Sequence, residues 1–144
     1  MKELRTEIDI AAAPERVWQV LTDFENYPAW NPFITKVEGK AKVGERVKIH
    51  IKMPNRALTL QCTVLELAPV QKMRWKWCIF WDRIYCGEHS VQIEPQGEGR
   101  VHIDHREVFN GILLPFFKKQ IDTQTRQGFE SMDQSLKAHA EKVA

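Results

Sequence analysis

The chain has 144 residues, 43 % of them apolar, with 21 Lys and Arg against 19 Asp and Glu and a formal net charge of +2. At this length about two-thirds of the extended chain's surface is buried on folding, so one domain spanning residues 1–144 has a core of its own. An eight-fold β/α barrel, a full dinucleotide-binding fold and a two-domain arrangement are excluded on size. The balanced charge also argues against a nucleic-acid partner, which calls for a concentrated basic stripe. Five Trp, two Tyr and seven Phe are many aromatics for so small a protein.

Residues 2–10 alternate, with Leu4, Thr6, Ile8 and Ile10 on one side and Glu3, Arg5, Glu7 and Asp9 on the other, which predicts a half-buried strand. Pro14 in the first turn, Glu15 beside it and the stripe Val17, Trp18, Leu21 predict a helix. A short turn around Pro28 and Pro32 holds Tyr27, Trp30 and Phe33. From there to Phe109 the period is two, over about five further strands. Val47, Ile49, Ile51 and Met53 alternate with Lys48, His50 and Lys52. Pro54-Asn55 turns the chain into Leu58–Leu67, and Ala68-Pro69 turns it again into Met73–Trp81. Tyr85–Glu94 and Arg100–Phe109 follow, joined through Pro95-Gln96-Gly97-Glu98-Gly99. Pro115 then opens a helix running to about Lys142, roughly 40 Å at 1.5 Å per residue. The predicted architecture is α+β: a curved antiparallel sheet of six to seven strands wrapped around a long C-terminal helix, with two short helices after the first strand.

Face by face, the late strands put Met73, Trp75, Trp77, Ile79 and Trp81 on one side, then Tyr85, Gly87, His89, Val91 and Ile93, then Val101, Ile103, His105, Glu107 and Phe109. These faces meet the helix. Its stripe reads Leu114, Phe117, Ile121, Thr125, Gly128, Met132 and Leu136, bulky at the ends and small in the middle. Gly128 within a helix costs on the order of 1 kcal/mol relative to Ala. It marks either close packing against a strand or, as the preferred reading, a void that a ligand fills. The candidate ligand-binding residues are therefore Trp75, Trp77, Trp81, Tyr85, His89, His105, Glu107, Phe117, Ile121, Thr125, Gly128 and Met132.

His105 and Glu107 lie two apart on one strand and so point the same way. They orient a ligand, act as acid and base, or form a structural pair. They are the candidates for catalysis, and no nucleophile accompanies them. His102 and Asp104 face outward on that strand, which leaves no metal cluster, and no phosphate-binding or hydrolase motif is present, so neither metal nor cofactor is expected. Lys48, Lys52, Arg74 and Lys76 share the outer face with Glu66, Glu94 and Asp104, a solvated surface. Cys62, Cys78 and Cys86 are odd in number and lack a Cys-x-x-Cys pair, so neither a disulfide framework nor a zinc ribbon is indicated. The first residues carry no apolar signal run, and the most apolar stretch, Val108–Phe117, is short and broken, so a cytoplasmic protein with no stable membrane insertion, monomeric or homodimeric, is expected.

The ordered series of motifs resembles the SRPBCC superfamily, whose members include START-related, polyketide cyclase/dehydrase-like and birch-pollen-allergen-like domains, and within it the bacterial stand-alone proteins. The series runs Ala13-Pro14-Glu15-Arg16-Val17-Trp18, Leu21-Thr22-Asp23-Phe24, Trp30-Asn31-Pro32-Phe33, Met73-Arg74-Trp75, Gly87-Glu88-His89 and Ile93-Glu94-Pro95. It continues through His105-Arg106-Glu107, Phe109 and Gly111 to Leu136-Lys137 and Ala140-Glu141. The resemblance implies a helix-grip fold around an apolar cavity and the binding of a hydrophobic small molecule, a lipid, a polyketide-like or an aromatic compound. Its members range from lipid carriers and hormone receptors to cyclase enzymes, so a cyclase, dehydratase or hydrolase using Glu107 and His105, or a lipid or quinone chaperone, are the alternatives. No catalytic residue carries over. Trp77, Ile79 and Trp81 are bulkier than the resemblance leads one to expect and narrow or flatten the cavity.

Overall fold

The computed structural model describes residues 1–142. Strand β1 (Lys2–Ile10) is followed by helix α1 (Pro14–Thr22) and a 3-10 turn, Phe24–Ala29. Six strands come next: β2 (Ile34–Glu38), β3 (Arg46–Lys52), β4 (Ala57–Ala68), β5 (Lys72–Ile79), β6 (Tyr85–Pro95) and β7 (Val101–Asn110). All pairs are antiparallel, in the order β1-β7-β6-β5-β4-β3-β2. The first strand thus closes onto the last, and β1 and β2 form the two edges. The short β2 is the strand that the alternation pattern left unassigned; it pairs only with β3 through an irregular register between Ile34 and Lys36.

The C-terminal helix is a 28-residue run in three parts: α2 (Leu114–Gln120), a π-helical turn (Ile121–Thr125) and α3 (Arg126–Glu141). The wide turn adds a residue to the repeat, and beyond it the buried positions are Phe129, Met132, Asp133, Leu136 and Ala140. Phe129, not Gly128, therefore faces the sheet. A Cβ at Gly128 would strike the ring of Phe33, which lies over the glycine from the β2 entry. Gly128 is an instance of close packing, and the void expected there is filled by Phe33.

The entry to β2 is pinned by Asn31, whose Oδ1 accepts hydrogen bonds from the backbone N–H groups of Phe33 (3.0 Å) and Ile34 (2.8 Å). Tyr27, fully buried, donates its hydroxyl to the Leu21 carbonyl at 2.6 Å and ties the 3-10 turn to α1. On the outer face Arg74 pairs with Glu66 and Glu88, and Asp104 lies under Arg5 and Arg106. Those guanidiniums hold the Asp104 carboxyl at about 2, Arg106 first through its hydrogen bond. His102 pairs with Glu7 and Asp9, which raises its pKa above the ordinary imidazole value.

Two expectations fail where β5 ends. Alternation stops at Ile79, because Phe80 adopts φ +70° and turns the chain out of the sheet. Trp81 is accordingly 74 % exposed and lies outside the interior. The register also sets Cys78 opposite Cys86, with Cα atoms 4.1 Å apart, and the two form a disulfide. The pair spans a hairpin rather than a short motif, which is why residue spacing did not reveal it. Among the described residues, Cys78, Asp82 and Cys86 form the one cluster compact enough for a metal ion, and there the sulfurs are bonded to each other.

Candidate functional site

A cavity of about 190 Å³ lies between the sheet and the first half of the C-terminal helix. Trp77 and Ile79 of β5, Tyr85 of β6, and Glu107 and Phe109 of β7 form one wall. Ile51 and Met53 at the end of β3, with Leu58 and Leu60 of β4, form the opposite wall. Phe117, Gln120, Ile121 and Thr125 close it from the helix, Phe33 borders it, and the exposed Arg56 stands at its edge. The helix comes near the sheet here through a stack of Phe117 on Tyr85, with ring centroids 4.6 Å apart.

Glu107 is the only carboxylate on this wall. It is 6 % exposed and accepts a hydrogen bond from Trp77 Nε1 at 2.5 Å. Burial pushes its pKa up to about 7, against the opposing pull of the Trp77 donor. Gly87 makes this contact possible: it is paired with Trp77 in the register, and a Cβ there would lie 2.5 Å from both the Trp77 ring and Glu107 Oε2. Burial, with a smaller contribution from the Glu107 charge, pushes the Tyr85 and Cys62 pKa values up as well.

His105 goes elsewhere. Its Nδ1 lies 2.8 Å from Asp133 on α3 and its Nε2 lies 2.6 Å from His89 Nε2. Thr6 of β1 donates its hydroxyl to the other Asp133 oxygen at 2.5 Å. The tautomers that use each donor once have His105 donating to Asp133 and accepting from His89. That leaves His89 Nδ1 buried without a partner. Burial first, and the neighbouring His105 second, hold the His89 pKa well below the ordinary imidazole value. The rings are wedged in place: His105 stacks on Phe129 (3.9 Å) and His89 on Trp75 (5.1 Å).

Six of the sequence-predicted residues therefore line the cavity: Trp77, Tyr85, Glu107, Phe117, Ile121 and Thr125. Trp75, His89, His105 and Met132 are buried in the packed core beyond it, and Gly128 and Trp81 are outside. His105 and Glu107 are not hydrogen-bonded to each other: His105 is engaged by Asp133 and His89, and Glu107 by Trp77. The wall from β3 and β4 was readable in the same alternation, since Ile51 and Met53 share one face. Thr6 is legible in the sequence only as an inward position of the first strand, and Asp133 lies off the helical stripe that the sequence predicts.

A curved seven-stranded antiparallel sheet gripping a long C-terminal helix, with an apolar cavity between them, defines the helix-grip α+β class of small-molecule-binding folds. Within that class the chain belongs to the family described as "Polyketide cyclase / dehydrase and lipid transport", whose profile matches residues 1–141. It is similar in structure to the Zhui aromatase/cyclase from a Streptomyces species, at 14 % identity and TM-score 0.81 over 98 % of this chain and 94 % of that one. A START superfamily protein from Mycobacterium smegmatis aligns at 18 % identity and TM-score 0.78 over 99 % of each chain. Norcoclaurine synthase from Thalictrum flavum, solved with dopamine and hydroxybenzaldehyde, aligns at 13 % identity and TM-score 0.74 over 99 % of this chain and 88 % of that one. At these identities the structural likeness speaks for the fold alone. No curated protein matches the sequence. No helix among the described residues is long and apolar enough to cross a membrane.

Proposed function

We propose that the protein binds a small hydrophobic molecule in the cavity between β5–β7 and α2, with Glu107 as its polar contact. The observation that carries this reading is one buried carboxyl, poised near neutrality, set in an otherwise apolar and aromatic wall. Such a cavity rewards an apolar body and a single hydroxyl or carbonyl placed to meet Glu107. At about 190 Å³ it lies below the ~300–1,000 Å³ of drug-sized sites, which favours a single-ring or short acyl compound. The reading places the protein in the cytoplasm, as a monomer or homodimer without a nucleic-acid partner. Naphthol, fluorescent and small enough for the cavity, is the probe for a titration alongside native mass spectrometry of protein purified from its host. Saturable binding that Leu60→Trp abolishes while the fold survives is the expected result. Uptake unaffected by filling the cavity defeats the reading.

The pKa of Glu107 also supports an enzyme of the cyclase or dehydratase kind, because a group titrating near pH 7 suits general acid–base transfer. In that reading Glu107 works alone, with His105 engaged by Asp133. A substrate panel separates the two: Glu107→Gln then abolishes turnover and retains binding.

A further inference from the structure

We propose that Cys78 and Cys86 are a thiol–disulfide exchange site that controls the cavity wall, with a dithiol as the reductant it takes. The inference rests on the ligand-binding reading of the cavity. It rests equally on the cytoplasmic location proposed above, where a disulfide is, as a rule, transient and redox-active rather than a permanent staple. This one sits on the outer face of the sheet, directly behind the wall. The register pairs run Trp77↔Gly87, Cys78↔Cys86, Ile79↔Tyr85, so the bridge clamps the two strands between Trp77 and the Ile79–Tyr85 pair, all three of which line the cavity.

Cys78 is part-exposed on the outer face, whereas Cys86 is 8 % exposed, so Cys78 is the sulfur open to attack. Cys78 borders a cleft of about 490 Å³ beneath Phe80 and Trp81, and Cys86 borders another of about 350 Å³ beside Lys76 and Arg83. Cys78 Sγ lies 3.3 Å from Asp82 Oδ1, an acceptor ready for the thiol proton. Cys62, by contrast, is 1 % exposed and takes no part. In the exchange, a thiolate of the dithiol attacks Cys78 Sγ, the Cys78–Cys86 bond breaks, and Cys86 leaves as a thiolate that takes a proton from water. The second thiolate of the reductant attacks the mixed disulfide and releases Cys78, which is protonated in turn. The protein gains two electrons and two protons, and the dithiol becomes a disulfide.

The loop that the bridge closes also holds two residues in a sparsely populated backbone conformation. Between the cysteines, Phe80 and Arg83 adopt φ +70° and +75°, conformations that side chains other than glycine rarely take. The far side of the loop is tied by Ile112 N–H to Arg83 O (2.9 Å) and Leu113 N–H to Ile84 O (3.0 Å). Reduction frees the near side, lets Phe80 and Arg83 relax, and loosens Ile79 and Tyr85 at the cavity wall.

The test compares oxidised protein, protein reduced with dithiothreitol, and Cys78→Ser/Cys86→Ser. Naphthol affinity is expected to fall about three- to tenfold on reduction, because the wall loses its pre-organisation. Amide hydrogen exchange over residues 79–85 of the ligand-free protein is expected to speed up at the same time. The double variant should match the reduced protein and ignore the reductant. Equal affinity and equal exchange in both redox states overturn the proposal, as does a reductant effect that persists in the double variant. Failure of the oxidised protein to take up naphthol at all counts against the cavity reading instead, and the exchange rates still decide whether the bridge governs the segment.

Discussion

His105 and Glu107 sit two residues apart on one strand, face the same way, and lead opposite lives. His105 lies in the packed half of the interior, where Asp133 and His89 occupy its two ring nitrogens, Thr6 holds the other Asp133 oxygen, and Phe129 covers its ring. Glu107 lies where the packing stops. It has one donor, from Trp77, and open space beside it. A polar group sealed in by partners holds the fold together; one left with spare capacity at a cavity wall is available to something else. The difference arises from the helix opposite: α3 brings an aspartate to His105, whereas the turn before it brings Ile121 and Thr125 to the cavity around Glu107.

Asp133→Ala should give the largest effect. It strands His105 and the Thr6 hydroxyl in the core, with an expected loss of about 3–5 kcal/mol in urea unfolding. A loss below about 1 kcal/mol would erase the distinction between the two regions. Glu107→Gln should do the reverse. Unfolded Glu107 titrates near its ordinary 4.5 and folded Glu107 near 7, so between those values the native state binds more protons and stability falls as pH rises. The variant removes that loss and at pH 8 should be more stable than the parent by up to about 3 kcal/mol. His89 works in the other direction: its depressed pKa makes stability fall as pH drops below the ordinary 6.5. Between about pH 4.5 and 6.5 the two slopes oppose each other. Thermal melts from pH 4 to 8 should therefore vary little over that range in the parent, whereas Glu107→Gln should show the acid limb alone and lose stability steadily as pH falls. Gly128→Ala comes third. The helix-propensity gain of up to about 1 kcal/mol is outweighed by the encounter with Phe33, for a net loss of about 1–3 kcal/mol by denaturant titration. Trp81→Ser should shift stability by less than about 0.5 kcal/mol and leave naphthol binding intact, since Trp81 is outside the cavity.

Alternation carried the strands, their faces and the grip of sheet on helix, because period two and a long Pro-opened helix are local properties of the chain. It placed Trp77, Tyr85 and Glu107 correctly on the inner face. Three features escaped it. Phe80 leaves the strand through a positive φ that no alternation pattern announces, so Trp81 was placed inside. The π-helical turn shifts the helical stripe, so Gly128 displaced Phe129 and Asp133 from the expected core. The disulfide depends on register, which is set across the hairpin rather than by spacing along the chain. An inward direction, moreover, does not distinguish a wall from a plug: Trp75 and His89 point inward and fill space, while Trp77 points inward and borders it.

The order of the sheet has a kinetic consequence. β2 through β7 form a chain of neighbours in which each strand meets the one made just before it, but β1 pairs only with β7, from Lys2 opposite Phe109 to Ile10 opposite Val101. β1, made before the other six strands, is thus the last to find its mate, and its inner face meets α3, later still. Folding should be limited by that closure, at the slow end expected for contacts distant along the chain. Until it happens, β7 is an open edge, and the newly made chain is most vulnerable to pairing with a stranger at the very strand that carries both His105 and Glu107.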